Sequence, residues 1–167
     1  MATAQISLTA RRFVDEIKSC GITHAVWLPD SEARFLYDTM TADPDLAVVP
    51  VCREGETFAI AMGLIIGGKT PVVLIQNTGF FESGDSIRAL ALDCDLPLLI
   101  LVGYRGWRQG RPMTDSAGTY TVPSLESWGI EHYLVESDTD IGLISKAFRR
   151  AQDLSKPVAV LIGTEYA

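Results

Sequence analysis

The sequence predicts a single α/β domain, doubly wound around a mostly parallel sheet of about six strands with helices on both faces. Extended apolar segments alternate with helical ones, and Gly, Pro and Asp separate them. The runs VVLI, from Val72, and LLILV, from Leu98, are apolar without alternation, as in strands buried on both faces. No repeat or linker divides the 167 residues, so residues 1–167 are predicted to form one domain.

Apolar spacing and helix-ending residues place the elements in chain order. Asp30 or Ser31 is a preferred cap for the helix that follows, and Gly67 with Gly68 ends the third helix. Helices are predicted at residues 8–19, 32–40, 54–66, 83–92 and 141–152. Strands are predicted at residues 24–28, 46–52, 72–76, 98–102, 133–135 and 158–162. Residues 103–119 have no apolar periodicity and are predicted to be a long loop.

Charge and apolar distribution argue against two classes of partner. The chain carries 14 Lys and Arg against 21 Asp and Glu, a net charge of −7, which would repel a phosphate backbone. The N-terminus lacks the segments of a signal peptide, and no apolar run reaches the roughly 18 residues of a membrane span. We therefore expect a cytoplasmic protein with no nucleic-acid or membrane partner.

Cysteine and histidine are too sparse to predict a metal site. Cys20, Cys52 and Cys94 form no CxxC pair and cannot all be paired as disulfides, which fits a reducing compartment and small core residues. His24 and His132 have no thiol or carboxyl partner at ligand spacing and are interpreted as packing residues. No metal ligand is predicted in this chain.

The helix predicted at residues 54–66 is apolar on every side after its charged first turn. A sheet can bury only one side of a helix, so the outer side is expected to pack against a second chain. Ala59, Ala61 and Gly63 would permit a close approach. The alternative is that other parts of the same chain cover this helix.

Ligands of open α/β sheets bind beyond the carboxyl ends of the strands, so the residues after each strand are candidates for a site. Asp30 and Ser31 follow the first strand, where they could bind a ligand or only cap the next helix. Glu54 and Glu56 follow the second strand, and both suit a helix N-terminus. Glu54 leads directly into the apolar helix, where a desolvated carboxyl group would suit proton exchange.

Two further junctions are polar. Gln76, Asn77, Thr78 and Gly79 offer two amides, a hydroxyl and a permissive glycine at the mouth of a central strand, a set suited to a polar or anionic small molecule. A phosphate-loop pattern at residues 63–70 ends a helix and enters a strand, the reverse of a nucleotide-binding loop, so we do not interpret it as one.

The predicted loop at residues 103–119 carries Arg105, Arg108 and Arg111. Three guanidinium groups in one loop of an acidic protein could hold a carboxylate, a phosphonate or a sulfonate, or pair with an acidic partner. A merely solvated loop is the alternative.

The run REGETFAIAMG from Arg53, the run KTPVVL from Lys69 and the turn QNTG from Gln76 together resemble the pyrimidine-binding domain of thiamine diphosphate enzymes. The resemblance covers essentially the whole chain. Within that superfamily the chain looks like the alpha subunits of sulfopyruvate decarboxylase and the matching half of phosphonopyruvate decarboxylase, which share a Pro-Asp-Ser-like junction, this turn and a Gly-x-Arg-Gly segment.

The resemblance implies roles for particular residues. The family's cofactor glutamate stands nine positions before a helix glycine, which is the spacing of Glu54 and Gly63. It would hydrogen-bond N1′ of the aminopyrimidine of thiamine diphosphate and support removal of the thiazolium C2 proton. Gln76, Asn77, Thr78 and Gly79 would also lie at the cofactor, and a 2-oxo acid would be decarboxylated there.

The resemblance also implies a partner. The diphosphate half of these enzymes carries a GDG motif and a downstream asparagine that hold Mg²⁺, and Gly84-Asp85-Ser86 lacks the second glycine. A separate diphosphate-binding beta subunit is therefore expected to supply them, in a hetero-oligomer such as α2β2 or higher.

Substrate identity is where the sequence departs from the family. These decarboxylases follow the QNSG or QNTG turn with a Gly-Asn pair, but here Phe80, Phe81 and Glu82 intervene. Asp30, Ser31, Phe80 and Arg105 are the candidate contacts to a small anionic 2-oxo acid. The aromatic rings could instead face the core or a partner.

Other functions stay open from the sequence. Carboligation begins from the same chemistry as decarboxylation, and a non-catalytic regulatory module could keep the fold without turnover. Glu54 argues against the regulatory module. A nucleotide-binding domain would need a glycine-rich turn after the first strand, which the residues Trp27–Ser31 do not provide.

Overall fold

The computed structural model describes residues 8–163, which form one sheet of six strands with helices on both faces. Residues 1–7 and 164–167 lie outside the described residues. The two ends of the predicted domain, residues 1–167, lie in these ranges. The first residues of the N-terminus, which was expected to carry no signal peptide, lie there too. The predicted α/β class with a parallel, six-stranded sheet is confirmed.

The bounds of the elements are as follows. The strands are β1 His24–Trp27, β2 Ala47–Pro50, β3 Pro71–Gln76, β4 Leu99–Gly103, β5 Glu131–Val135 and β6 Val158–Ile162. The helices are α1 Ala10–Ser19, α2 Tyr37–Thr41, α3 Glu56–Ile66, α4 Asn77–Glu82, α5 Gly84–Ser86, α6 Ser116–Ser127 and α7 Gly142–Leu154. A 3₁₀ turn, Arg34–Leu36, precedes α2, and a π-helical segment, Ile87–Leu92, follows α5. The strand order is β2-β1-β3-β4-β6-β5, and every neighbouring pair is parallel.

Strands β3 and β4 lie in the middle of the sheet, and every residue of both is buried. Val72 and Leu74 of β3 belong to the core beneath α1 and α7, whereas Val73 and Ile75 belong to the core beneath α3 and α6. Side chains of a strand alternate between the two faces of its sheet, so each face needs its own apolar set. This two-sided burial explains the unbroken apolar runs in the sequence.

Helix α6 corrects the loop predicted at residues 103–119, which ends where α6 begins at Ser116. Asp115 caps the helix, because its carboxylate accepts a hydrogen bond from the Ala117 amide at 2.9 Å. The buried face of α6 consists of small or polar residues and one leucine: Ala117, Gly118, Thr121 and Leu125. Such a face gives no apolar periodicity, and a proline such as Pro123 is atypical of a helix interior. The sequence pattern therefore did not predict this helix.

Other boundaries also differ from the prediction. Helix α3 begins at Glu56, so Glu54 lies in the turn before it. Residues 77–79, predicted to be a turn, form the first turn of α4. The helix predicted at residues 83–92 is the single turn α5 and the π-helical segment, and the one predicted at residues 32–40 is a 3₁₀ turn and the short α2.

Helix α3 packs against the sheet on one side only. Phe58 and Ala61 are fully buried, whereas Ala59, Gly63 and Ile66 are exposed, with Ile66 76% exposed. These three residues stand four and three positions apart and therefore share one face of the helix. No other part of residues 8–163 covers this stripe, contrary to the alternative that the chain itself buries the whole helix.

The cysteines correct one prediction. Cys52 and Cys94 are exposed, and Cys20 is partly buried. Cys52 lies in the turn after β2 and Cys94 in the turn after the π-helical segment, so neither reaches the core predicted for them. None of the three forms a disulfide.

Candidate functional site

The carboxyl ends of β2 and β3 bring Glu54 and Gly79 into contact. A Cβ atom on Gly79 would lie 2.3 Å from Cγ of Glu54 and 2.7 Å from both its Cδ and its Oε1. The Glu54 side chain therefore occupies the space that any other residue at position 79 would fill. Within residues 8–163, no group donates a hydrogen bond to the Glu54 carboxylate, which is partly exposed.

Glu82, at the end of α4, holds both chain neighbours of Glu54. Its Oε1 accepts a hydrogen bond from Nε of Arg53, and its Oε2 accepts one from the Gly55 amide at 2.9 Å. The sequence did not point to Glu82 as a site residue. A helix predicted to begin at residue 77 would have placed Gly79 and Glu82 one turn apart on the same face.

Gln76 and Thr78 join the end of β3 to the loop after β1. The Thr78 hydroxyl donates to Oε1 of Gln76 at 2.6 Å, and Nε2 of Gln76 donates to the Ser31 hydroxyl at 3.4 Å. Ser31 and Thr78 are exposed, and Gln76 is buried between them. The predicted residues Ser31, Gln76 and Thr78 are thus brought together as one polar row along the carboxyl edge.

Asn77 faces away from this row and is fully buried. Its Nδ2 donates to the Arg105 carbonyl at 3.0 Å and to the Thr121 hydroxyl at 3.1 Å. Its Oδ1 is buried and accepts no hydrogen bond from the described residues. Asn77 therefore connects α4 to α6 and to the segment that follows β4.

Asp30 holds the loop after β1. Its Oδ1 accepts hydrogen bonds from the amides of Glu32, at 2.7 Å, and Ala33, at 3.0 Å, and its Oδ2 accepts one from Nε1 of Trp27 at 3.3 Å. Burial raises the pKa of Asp30 above its usual value, and these hydrogen bonds oppose the rise. Asp30 therefore holds a turn within the loop and does not cap a helix as predicted, because the first helical turn begins at Arg34.

Glu32 is a buried carboxyl group that the sequence interpretation treated only as the start of a helix. A Cβ atom on Gly103 would lie 2.7 Å from Cβ of Glu32, so the glutamate packs directly on the end of β4. The side chain is 9% exposed. Burial raises the pKa of Glu32, the charge of Asp30 raises it further, and the charge of Arg105 opposes both.

Arg105 and Phe80, two candidate substrate contacts, have different surroundings. Nε of Arg105 donates to Asp115 at 2.9 Å, and its Nη groups donate to no residue within 8–163. The pKa of Asp115 is held below its usual value by the Ala117 amide and by Arg105. Phe80 is fully buried and packs against Phe81 and Trp128, so its ring is part of the core. The buried Phe80 ring therefore contacts the core in this structure and is not available to a substrate, contrary to the expectation from the sequence.

A shallow cavity of about 390 Å³ opens beside this edge, between α4 and α6. It is lined by Thr78, Phe81, Asp115, Ser116, Ala117 and Tyr120. Tyr120 is 62% exposed and Phe81 is 37% exposed, so two aromatic rings border the opening. An apolar group bound near Thr78 would contact these rings.

Two further properties concern the described residues. Within residues 8–163, no group of three or more His, Cys, Asp or Glu side chains is placed to hold a metal ion. Of the helices in that range, none is both long enough and apolar enough to cross a membrane.

The carboxyl edge thus combines a carboxylate that has no hydrogen-bond donor among residues 8–163, a row of hydroxyl and amide groups and an oriented guanidinium group. A carboxylate can exchange a proton with a bound base, and the guanidinium group can bind an anion through two parallel hydrogen bonds. The arrangement suits an anionic small molecule and a proton-exchanging group bound at the same edge of the sheet.

Comparison with known proteins gives related decarboxylase subunits. No family model matches the chain. The alpha subunit of sulfopyruvate decarboxylase from Methanothermobacter thermautotrophicus is 36% identical over 159 residues, which cover 90% of this chain and 92% of that subunit. The alpha subunit from Methanococcus maripaludis is 26% identical over 152 residues, which cover 90% and 91%. Phosphonopyruvate decarboxylase from Streptomyces viridochromogenes is 25% identical over 133 residues, and the match spans 34% of its length.

Among solved structures, benzoylformate decarboxylase from Polynucleobacter necessarius matches 93% of this chain with a TM-score of 0.70 and 21% identity. The match spans 29% of that chain, and at this identity it shows a shared fold. The resemblance inferred from the residues is confirmed by the sequence relatives. With 36% identity over nine-tenths of both proteins, this chain belongs to the family of sulfopyruvate decarboxylase alpha subunits.

Proposed function

We propose that this chain is the pyrimidine-binding alpha subunit of a heteromeric, thiamine diphosphate-dependent 2-oxo acid decarboxylase of the sulfopyruvate or phosphonopyruvate type. The observation that carries the proposal is the contact between Glu54 and Gly79, in which a carboxylate after one strand lies over the helix after another. This contact joins two of the three segments on which the resemblance rests, the run from Arg53 and the turn from Gln76.

The residues at this edge fit the pyrimidine end of the cofactor. Glu54 offers a carboxylate with no partner among the described residues, and Gln76 and Thr78 offer an amide and a hydroxyl nearby. Such groups can bond the nitrogen atoms of an aminopyrimidine. Asn77 acts indirectly, because its hydrogen bonds hold α4 against α6 and the Arg105 carbonyl.

Thiamine diphosphate, when bound, supplies the carbon nucleophile and the electron sink for loss of CO₂ from a 2-oxo acid. Glu54 holds a proton at N1′ of the pyrimidine, the general acid–base role that suits a carboxyl group on a constrained turn. Gly79 allows the Glu54 carboxyl group to stay in this position, because it has no side chain to occupy the same space.

Ser31 and Arg105 are the proposed substrate contacts. Asp115 fixes Nε of Arg105, which leaves the Nη groups for a carboxylate, sulfonate or phosphonate. Ser31 offers a hydroxyl that accepts a hydrogen bond from Gln76, in the loop that the Asp30 carboxylate holds. Together they would recognise a small anionic 2-oxo acid.

The partner in this proposal is a diphosphate-binding beta subunit. It would supply a GDG motif and a downstream asparagine for Mg²⁺ and the diphosphate, neither of which this sequence contains. The exposed stripe of Ala59, Gly63 and Ile66 on α3 is a surface available for assembly. The whole would be a cytoplasmic hetero-oligomer, such as α2β2 or higher.

Replacement of Glu54 tests the function. In the complex reconstituted with the partner subunit and cofactor, Glu54→Gln should slow deuterium exchange at C2 of the cofactor by orders of magnitude, because glutamine cannot exchange the proton at N1′. The chain and the complex should still form. Glu56→Gln is the matched control, since Glu56 accepts a hydrogen bond from the Cys52 amide and lies at the helix start. Unchanged exchange in the Glu54 variant, or a larger loss in the Glu56 variant, would refute the assignment.

A further inference from the structure

One carboxylate holds the turn that carries Glu54 from both sides. Arg53 precedes Glu54 and Gly55 follows it, and each donates a hydrogen bond to a different oxygen of Glu82. Glu82 belongs to α4, which follows the next strand along the chain. The contact therefore joins two junctions that are far apart in sequence.

The face of α4 that holds Glu82 also holds Gly79. Residues three positions apart on a helix are neighbours, so the glycine beneath Glu54 and the carboxylate that anchors its neighbours stand together. Gly55 permits this approach, because a Cβ atom there would lie 3.3 Å from Oε2 of Glu82. A larger residue at position 55 would push the Glu82 carboxylate away from the backbone amide of residue 55, which donates a hydrogen bond to it.

The same contact determines where the Arg53 guanidinium group lies. Arg53 is adjacent to Glu54 in sequence, and its side chain is 71% exposed. A guanidinium group released near Glu54 could pair with that carboxylate and compete with a base for it. In the structure it is paired with Glu82, which is 30% exposed.

We propose that Glu82 is a positioning residue for Glu54, which anchors Arg53 and Gly55 so that the Glu54 carboxylate stays over Gly79 and clear of the arginine. The consequence for catalysis rests on the proposed function of Glu54. The anchoring is a property of this chain alone and is tested separately.

The anchoring is measured by amide hydrogen exchange of Gly55 in the ¹⁵N-labelled full chain. Glu82→Ala removes both acceptors, so Gly55 should exchange about ten- to a hundredfold faster, as expected for the loss of a hydrogen bond to a charged group. Glu82→Gln keeps one acceptor oxygen and should give a smaller increase. Asp85→Ala is the control, because Asp85 pairs with Arg88 and not with residues 53–55. Unchanged amide shifts of β3 and β4 report that each variant is folded.

The catalytic consequence is measured in the reconstituted complex. Glu82→Gln should slow C2 exchange about tenfold, and adding Arg53→Leu to it should restore part of the rate by removing the competing guanidinium group. Asp85→Ala should leave the rate unchanged. If Gly55 exchanges at the wild-type rate in Glu82→Ala, the positioning role is wrong whatever Glu54 does. If the complex that carries Glu54→Gln exchanges the C2 proton of the cofactor at the wild-type rate, the proposed function is wrong while the anchoring result stands.

Discussion

The two segments that carry the candidate chemistry are held in different ways. The turn at residues 53–55 is held by a glycine contact and by one carboxylate of α4. The segment after β4, at residues 104–115, is held by several elements at once, through polar side chains and through a glycine contact of its own, since a Cβ atom on Gly163 would lie 2.7 Å from Cδ1 of Trp107. Asn77 donates to the Arg105 carbonyl, and Nε1 of Trp107 donates to Glu136 at 2.9 Å.

This difference has a consequence for what each segment can tolerate. Contact with Gly79 leaves no room for an added atom, so the position of Glu54 depends on the backbone beneath it. The segment after β4 has supports from three separate elements, so the loss of one hydrogen bond, worth about 0.5–1.5 kcal/mol, leaves the others in place. We therefore expect the turn at residues 53–55 to be the more sensitive of the two to a single substitution.

Among the substitutions that compare the two segments, the largest expected effect comes from filling the space beneath Glu54. Gly79→Ala would place a Cβ atom 2.3 Å from Cγ of Glu54, so the glutamate must move. A displacement of about 1 Å at a catalytic group can cost about a hundredfold in rate, and we expect a loss of that size in C2 exchange by the reconstituted complex. Urea unfolding of the isolated chain separates this effect from a loss of folding.

Gly142→Ala is the matched control for this substitution. Gly142 begins α7, and a Cβ atom there would meet nothing within 4 Å. This variant should keep wild-type exchange. If Gly79→Ala also keeps it, the contact with Glu54 does not position the carboxylate, and the two segments do not differ as we argue.

The sequence was sufficient for the parts of the site that follow strands. Glu54, Ser31 and Gln76 were predicted because apolar runs identify buried strands and parallel strands place their carboxyl ends at one edge. The partly uncovered α3 was also expected from its apolar composition, and the structure leaves Ala59 and Gly63 exposed. Ala61, expected on the same outer side, is instead fully buried in the core beneath the helix, so that part of the prediction was wrong.

The parts that were missed depend on contacts between distant segments. Glu82 stands far along the chain from Arg53, and no local pattern joins them. Glu32 was interpreted as a helix-start residue. Its burial against Gly103 could not be predicted, because no local pattern shows that the loop after β1 reaches β4. Helix α6 escaped detection because its buried positions include Gly118 and Thr121, which carry no apolar signal.

Removal of the Arg105 guanidinium group should have a smaller and different effect. Arg105→Ala should raise the KM for an anionic 2-oxo acid about tenfold with little change in kcat, because a charge-assisted hydrogen bond made equally in ground and transition states is lost. Steady-state kinetics of the complex measure both constants. Arg108→Ala is the control, since Arg108 is exposed on the same segment. Equal KM values for wild type and Arg105→Ala would mean that this segment does not bind the substrate's anionic group.

The smallest expected effect concerns Glu32, whose burial beside Arg105 should lower stability at neutral pH. The pKa of Glu32 is raised from its usual 4.5 by burial and then by Asp30. The folded chain therefore binds this proton more tightly than the unfolded chain, and stability falls as pH rises from about 4.5 through the folded pKa. Above that window, the ionised carboxylate is buried at a cost that a neutral residue avoids.

Glu32→Gln should accordingly raise the free energy of unfolding at pH 7 by about 0.5–1 kcal/mol, and the gain should shrink as pH falls towards 4.5. Urea unfolding of the isolated chain at several pH values measures both. Glu131→Gln is a control of opposite sign, because Tyr133 and Arg150 lower the pKa of Glu131. That variant should lose stability at pH 7, with the loss fading as acid protonates the wild-type carboxylate. A destabilised Glu32→Gln at pH 7 would mean that the ionised carboxylate supports the Arg105 segment, and the contrast between the two segments would then be smaller than we infer.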